Sequence, residues 1–386
     1  MSRRNRTPKG TMATARDRVA TLATTPLKVI ADRLTEALDE ADCAFEAGSL
    51  PLNKLTELGT YVSHIVTRLP QSFGERFFFD SAMIRCIAED WSPSLTASPM
   101  IIPSYGLAWG HFSLQMPSRD RRDAHLIDVI CLRGDDRLED VDLLDYPWMA
   151  HELGHYVLFR DDSPFAVAFL PALHSRVRSL ELLAIADRRS ARVKADKIIE
   201  ELRTFWTPSP DHKNWAHELA VDMIALWTCG PAYLAGFEDE VARPQTNPYD
   251  ITQDHPPYEV RLRALVDASH DLGFGNHTQG LIAISKAWAK SNWRQGENNR
   301  FLALADKDLI RHCRESAFRS CESLKLCKWT TVRFDAARRE LADENSMDLG
   351  VDLLLSARIV FQEQGESALD KWETNKVRRV AQYVMR

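Results

Sequence analysis

Two histidines four residues apart, in the run His151-Glu152-Leu153-Gly154-His155, constrain this chain more than any other feature. On an α-helix, residues i and i+4 share a face, so both imidazoles can point at one metal ion. Glu152 lies about a quarter-turn away, where it can reach a water beside that ion without being a ligand. The motif thus requires a helix, and Pro147, tolerated in a helix's first turn, sets the start of one over about residues 146–160. The preceding apolar segment, Leu126–Leu132, reads as a strand bordering the cleft. Without further ligands, the same pattern would be a helix with two surface or core histidines.

A catalytic zinc takes three protein ligands and keeps one position open. Sixty-three residues after His155, Glu218 and Asp222 stand at i and i+4 in a segment that is otherwise apolar (Leu219, Val221, Met223, Ile224, Leu226, Trp227). Two carboxylates on one face of a buried helix are costly unless paired or metal-bound. Glu218 as third ligand, with Asp222 behind it orienting an imidazole, resolves that cost. A surface acidic stripe is the alternative. His217 points elsewhere on the helix and is not assigned to the metal. Gly154 costs about 1 kcal/mol in a helix interior relative to alanine. Close approach of a strand would account for it.

Composition narrows the partners. The 386 residues carry 49 basic and 55 acidic side chains, a net charge of −6. That leaves no global basic field for nucleic acid or an anionic membrane. Seven cysteines without a CxxC pair argue against a disulfide framework and for the reduced thiols of a cytoplasmic protein. Cys313, Cys321 and Cys327 beside His312 have no zinc-module spacing and are expected to be buried or idle. The basic N-terminus lacks an apolar run after it, so no secretory signal is expected. Leu219–Phe237 contains Asp222 and is broken by Gly230-Pro231, so it reads as buried helix and not as a membrane span.

Periodicity divides the chain. Residues 1–13 read as a disordered tail. Residues 14–95 read as a helical unit, with Thr25-Pro26 as N-cap and first helical residue, and with stripes at Leu27, Ile30, Leu34, Leu38, Ala41, Phe45 and at Leu55, Leu58, Val62, Ile65, Leu69. Short strands are expected at 100–102, 106–116 (Phe112, Leu114 and Met116 on one face) and 125–132, followed by helices at about 146–160, 178–206 and 214–228. From Gly280 onward the pattern is amphipathic helix. The fold class is α+β, mainly helical, with a small sheet.

At this point the residues resemble a family, the gluzincin zinc metallopeptidases, in the branch with the CAAX-protease-like and heat-shock-type peptidases. That branch is marked by HExxH, a Glu-x-x-x-Asp helix, and a His-Pro segment with an Arg shortly after. Here these are His151–His155, Glu218–Asp222 and Asp254-His255-Pro256-Pro257-Tyr258-Glu259-Val260-Arg261. Gly230-Pro231-Ala232-Tyr233 is similar to relatives as well. The likeness covers about residues 100–265. The chain departs from the best-known members in lacking their membrane spans and in carrying an extra charged helix before Glu218. The resemblance implies a zincin-like metallopeptidase domain over 96–270, flanked by a helical C-terminal unit over 271–386. It also implies one Zn2+ per chain on His151, His155 and Glu218.

Glu152 is then the general base and acid. His255 is the candidate donor to the oxyanion, with Tyr258 second. An Asp222–Arg261 ion pair would hold the His255 segment against the ligand helix, with His255 as transition-state donor or as a fourth ligand at rest. Arg261 on a solvated helix face is the alternative. The expected activity is hydrolysis of peptide or protein substrates over a restricted range, the substrate adding as a strand beside Leu126–Leu132 unless that strand is internal and already paired. A latent or regulatory peptidase cleaving one partner, and a non-catalytic zinc-stabilised binding module, are the competing readings. The intact Glu152 argues against the last.

Overall fold

A computed structural model describes residues 8–69, 73–91, 100–106, 110–115, 125–158, 164–186, 189–208, 214–243, 247–290, 299–341 and 349–385. In chain order these form α1 (Pro8–Ala20), α2 (Lys28–Glu46), α3 (Leu52–Arg68), α4 (Glu75–Trp91), β1 (Met100–Gly106), β2 (Gly110–Gln115), β3 (His125–Arg133) and α5 (Pro147–Leu158). They continue with α6 (Pro164–Ala186), α7 (Arg189–Trp206), α8 (Trp215–Cys229), α9 (Pro231–Ala242), α10 (Tyr258–Asp271) and α11 (Gln279–Lys290). The last are α12 (Asn299–Leu304), α13 (Lys307–Ser323), α14 (Thr331–Glu340), α15 (Gly350–Gln364) and α16 (Glu366–Val384). The fold is mainly helical, with one small sheet. Among the described residues, no helix is long and apolar enough to cross a membrane.

The helices group into two compact units. One is drawn from Met1–Arg85, Ser94–Val141 and Lys376–Arg386, the other from Cys86–Pro93 and Asp142–Asn375. In the first, the stripes Ile30, Leu34, Leu38 of α2 and Leu55, Val62, Ile65 of α3 are buried together with Met12, Ala15 and Val19 of α1. Each buried aliphatic side chain contributes about 1.5–3 kcal/mol. Those α1 residues recur at helical spacing, which is why 8–13 are helix and not the expected tail; residues 1–7 lie outside the described residues. Thr25 does not cap α2 from the expected position. Its Oγ1 accepts the Leu27 N–H at 3.1 Å, and the helix begins at Lys28, after a turn.

The sheet has the order β1-β3-β2, with β1 parallel and β2 antiparallel to β3. Ile127–Cys131 are thus paired on both sides, Val129 for example with Ile102 of β1 and Phe112 of β2. Val129, Ile130 and Leu132 are buried, so both faces of β3 are covered, and this explains its nearly unbroken apolar run. A substrate cannot add beside Leu126–Leu132, because both edges of that strand are taken. The side chains of 111–115 lie outside the described ones.

The elements described in the second unit are helices. Every residue of α5 and of α8 is buried. A helix that is apolar all round must be enclosed on all sides, and α8 packs against α5, α7, α10, α13 and α15. Leu309, Ile310, Cys313, Ala317 and Cys321 of α13 supply much of that cover. Both units are discontinuous in the chain: the sheet lies in the first, and α13 and α15 pack against α8 in the second. The free thiols of Cys313 and Cys321 are core residues, and burial pushes both well above the ordinary thiol range. The segment expected as one helix over 178–206 is divided between α6 and α7.

Candidate metal centre

The site is assembled in the second unit from α5, α8, α9 and the loop leading into α10. Pro147 is the first residue of α5, so His151 and His155 fall in its second and third turns on one face. Asn214 caps α8, its Oδ1 accepting the His217 N–H at 3.1 Å. That cap puts Glu218 in the first turn, where the helix dipole favours a negative charge. Gly230 and Pro231 end α8 and begin α9, which places Tyr233 in the first turn of the next helix. Pro257 ends the loop, and Arg261 follows in the first turns of α10.

His151, His155 and Glu218 each offer a ligand atom, and these atoms lie within 4.8 Å of one another in the buried interior. His151 Nε2 is 3.4 Å from Glu218 Oε2, and His155 Nε2 is 3.3 Å from Glu218 Oε1. Both Glu218 oxygens are buried and accept no hydrogen bond from the described residues. Donors bound at about 2.1 Å to one tetrahedral ion lie about 3.4 Å apart, so the separations fit a shared metal ion. Glu152 Oε2 is 4.0 Å from His155 Nε2.

Charge points the same way. Glu152, Glu218 and Asp222 are all buried, and Arg261 is the guanidinium within this cluster. A low-dielectric interior tolerates buried carboxylates such as these only if cations or protons offset them. Burial alone would push the His151 imidazole down, but Asp222 and Glu218 outweigh it and raise it to about 9. Burial likewise opposes ionisation of Glu218, yet the two facing imidazoles hold its carboxyl well below the usual range. The donor set is suited to a divalent cation in place of those protons.

Asp222 organises the layer behind the ligands. Its Oδ1 lies 2.9 Å from His151 Nδ1, accepts the Tyr233 hydroxyl at 2.5 Å and accepts Arg261 Nη2 at 2.7 Å. Arg261 Nε reaches Oδ2 at 2.8 Å, completing a bidentate pair. Because a carboxylate only accepts, His151 donates its Nδ1 proton to Asp222, and Nε2, which faces Glu218, is the atom that would bind a metal ion in place of its own proton. Arg261 is 5% exposed and sits over the rings of Trp148 and Phe237 at 5.6 and 5.3 Å. The solvated-face alternative for Arg261 is therefore wrong.

His255 Nε2 lies 3.6 Å from Glu218 Oε1, and its side chain is 54% exposed, in contrast with the buried ligands. Thr252 holds that segment: its hydroxyl donates to the His255 carbonyl at 2.7 Å and its own carbonyl accepts Trp215 Nε1 at 2.8 Å. Tyr258 begins α10, half-buried, with its ring 6.4 Å from that of Phe237. His217 is buried beside Phe165, at 6.4 Å between rings. Gly154 faces α8 at Val221, not a strand.

Tyr233 was the residue that sequence reasoning left without a role. The signal was its place just past the Gly230-Pro231 break, one turn of α9 from the ligand helix. Tyr233→Phe removes one of three donors to Asp222 Oδ1 and loosens the hold on His151. Groups behind metal ligands typically matter about 10–100-fold in affinity. Metal affinity of the variant, measured by chelator competition, is expected to fall by about tenfold with little change in fold; an unchanged affinity would remove Tyr233 from the site.

Compared with protein-family models, curated proteins and solved structures, the chain matches none.

Proposed function

We propose that the chain is a zinc-dependent peptidase of the gluzincin type, with a restricted substrate range. The observation that carries this reading is the buried His151–His155–Glu218 donor set with Glu152 on the same helix face. Two neutral imidazoles and a carboxylate suit zinc, and three protein ligands leave one position for water or substrate. When bound, zinc supplies a Lewis acid that polarises a carbonyl and makes water a nucleophile near neutral pH.

The chain's own groups do the rest. Glu152 Oε2 takes the proton of the attacking water and delivers it to the departing amide nitrogen. His255, exposed at the rim and close to Glu218, donates to the oxygen of the carbonyl under attack. Asp222 fixes the tautomer of His151, and Arg261 with Tyr233 fixes Asp222. The near-complete burial of Glu152, at 5% exposed, favours a restricted or latent enzyme over a general protease.

The test combines metal analysis with hydrolysis of a proteome-derived peptide library, read by mass spectrometry. The purified protein is expected to hold one zinc and to cleave in a chelator-sensitive way. Glu152→Gln is nearly isosteric and should keep zinc and fold while slowing cleavage by about 10²–10⁴-fold. Absence of zinc together with no metal-dependent cleavage overturns the reading. Bound zinc with no cleavage of any peptide or protein leaves the non-catalytic binding module in its place.

A further inference from the structure

We propose that Gly154 is a positioning residue for the metal centre, acting with Val221 as the spacer that sets how far α5 stands from α8. The inference rests on the metal reading above and concerns the distance between the histidines of one helix and the carboxylate of the other. Gly154 immediately precedes His155, and Val221 lies three residues after Glu218 and one before Asp222. This contact is thus within about a turn of His151, His155 and Glu218 along their helices.

A Cβ on Gly154 would stand 3.0 Å from both Cβ and Cγ1 of Val221, and 3.3 Å from its Cα. Carbon atoms at their optimal separation are about 3.5–4.0 Å apart. The last of the three Val221 atoms belongs to the backbone, so no rotamer change can relieve that approach. Val221 is fully buried, and its branched Cβ leaves it one strongly preferred rotamer in a helix. The side chain has nowhere to swing, because α8 is packed on its other sides by α7, α10, α13 and α15. An added methyl must therefore push the two helices apart by several tenths of an ångström.

Metal sites tolerate changes of about 0.2 Å in ligand distance. Separation of α5 from α8 falls directly on the gaps between Glu218 and the two imidazoles, now 3.3 and 3.4 Å. A glycine in the middle of a helix is otherwise unfavourable, and replacing it by alanine should improve the helix. A residue retained only by accident would show that improvement. A spacer shows the opposite.

The experiment titrates the metal-free protein with cobalt(II), following its visible absorption as a report on coordination geometry, and measures zinc affinity by chelator competition. Gly154→Ala is expected to keep its helical circular dichroism, to bind zinc at least about tenfold more weakly and to give an altered cobalt spectrum. Moving the glycine to the other helix, in Gly154→Ala with Val221→Gly, is expected to recover most of the affinity and the native spectrum. If the wild type binds neither ion, the metal reading itself fails. If the wild type binds and Gly154→Ala binds equally well with the same spectrum, the spacer is overturned while the metal reading stands. If Gly154→Ala does not fold, the double variant decides: a folded, metal-binding protein supports the spacer, and a second failure overturns it.

Discussion

Replacing Arg261 by alanine is expected to destabilise the protein by about 3–5 kcal/mol, because it leaves the carboxylate of Asp222 buried without its counter-ion. Asp222 is fully buried, and Arg261 contacts both of its oxygens, at 2.7 and 2.8 Å. An exposed pair would be worth less than about 1 kcal/mol, so burial decides the magnitude. The guanidinium also lies over the rings of Trp148 and Phe237, a contact that a lysine cannot reproduce with a point charge. Arg261→Lys is accordingly expected to recover only part of the loss. Denaturant unfolding of the metal-free proteins measures this directly, separating stability from ligand binding. A midpoint unchanged from the wild type would show that the pair contributes nothing.

Gly230→Ala is expected to be comparably severe, for a different reason. Gly230 adopts φ 54° and ψ −130°, a conformation that residues with a side chain rarely take. Its missing Cβ would also lie 2.6 Å from Trp329 Cδ1 and Cδ2, and closer still to Cγ. The indole cannot retreat easily. Trp329 is 7% exposed, its ring meets Phe274 at 5.0 Å, and its backbone N–H donates to the Trp227 carbonyl at 2.7 Å. Backbone strain and overpacking together predict a loss of about 2–6 kcal/mol. Because Gly230 joins the helix of Glu218 and Asp222 to the helix of Tyr233, metal affinity should fall with stability. A variant within about 1 kcal/mol of wild type would mean that the indole shifts freely.

The site was more legible than the fold around it. His151 with His155, and Glu218 with Asp222, could each be paired from spacing, because i and i+4 on a helix share a face wherever the helix lies, and the cost of buried carboxylates linked the two pairs. The largely apolar character of α8 outside Glu218 and Asp222 correctly signalled a buried helix, and the Gly230-Pro231 break marked its end. The sheet misled in one respect. An apolar run such as Leu126–Leu132 is equally consistent with an edge strand over a cleft and a central strand covered on both faces. Only the pairing with β1 and β2 separates the two. Amphipathic periodicity from Gly280 onward states that those helices have an apolar face but not which helix it covers.

What the sequence by itself determined is local: the helices, their caps and breaks, and the sets of side chains that each helix carries on one face. These follow from backbone geometry over a few residues, and tertiary packing seldom overrides them when the pattern is strong. Apart from the Glu218 and Asp222–Arg261 pairings, which the cost of buried charge made expected, only the tertiary structure decided the relations between elements. The Tyr233 hydroxyl on Asp222, the aromatic rings around Arg261, the close approach of Gly154 to Val221 and the enclosure of α8 by α13 each join residues distant in the chain. Such relations depend on which apolar faces meet and at what distance. The burial of apolar surface that drives them is non-directional, so periodicity cannot name the partner in advance.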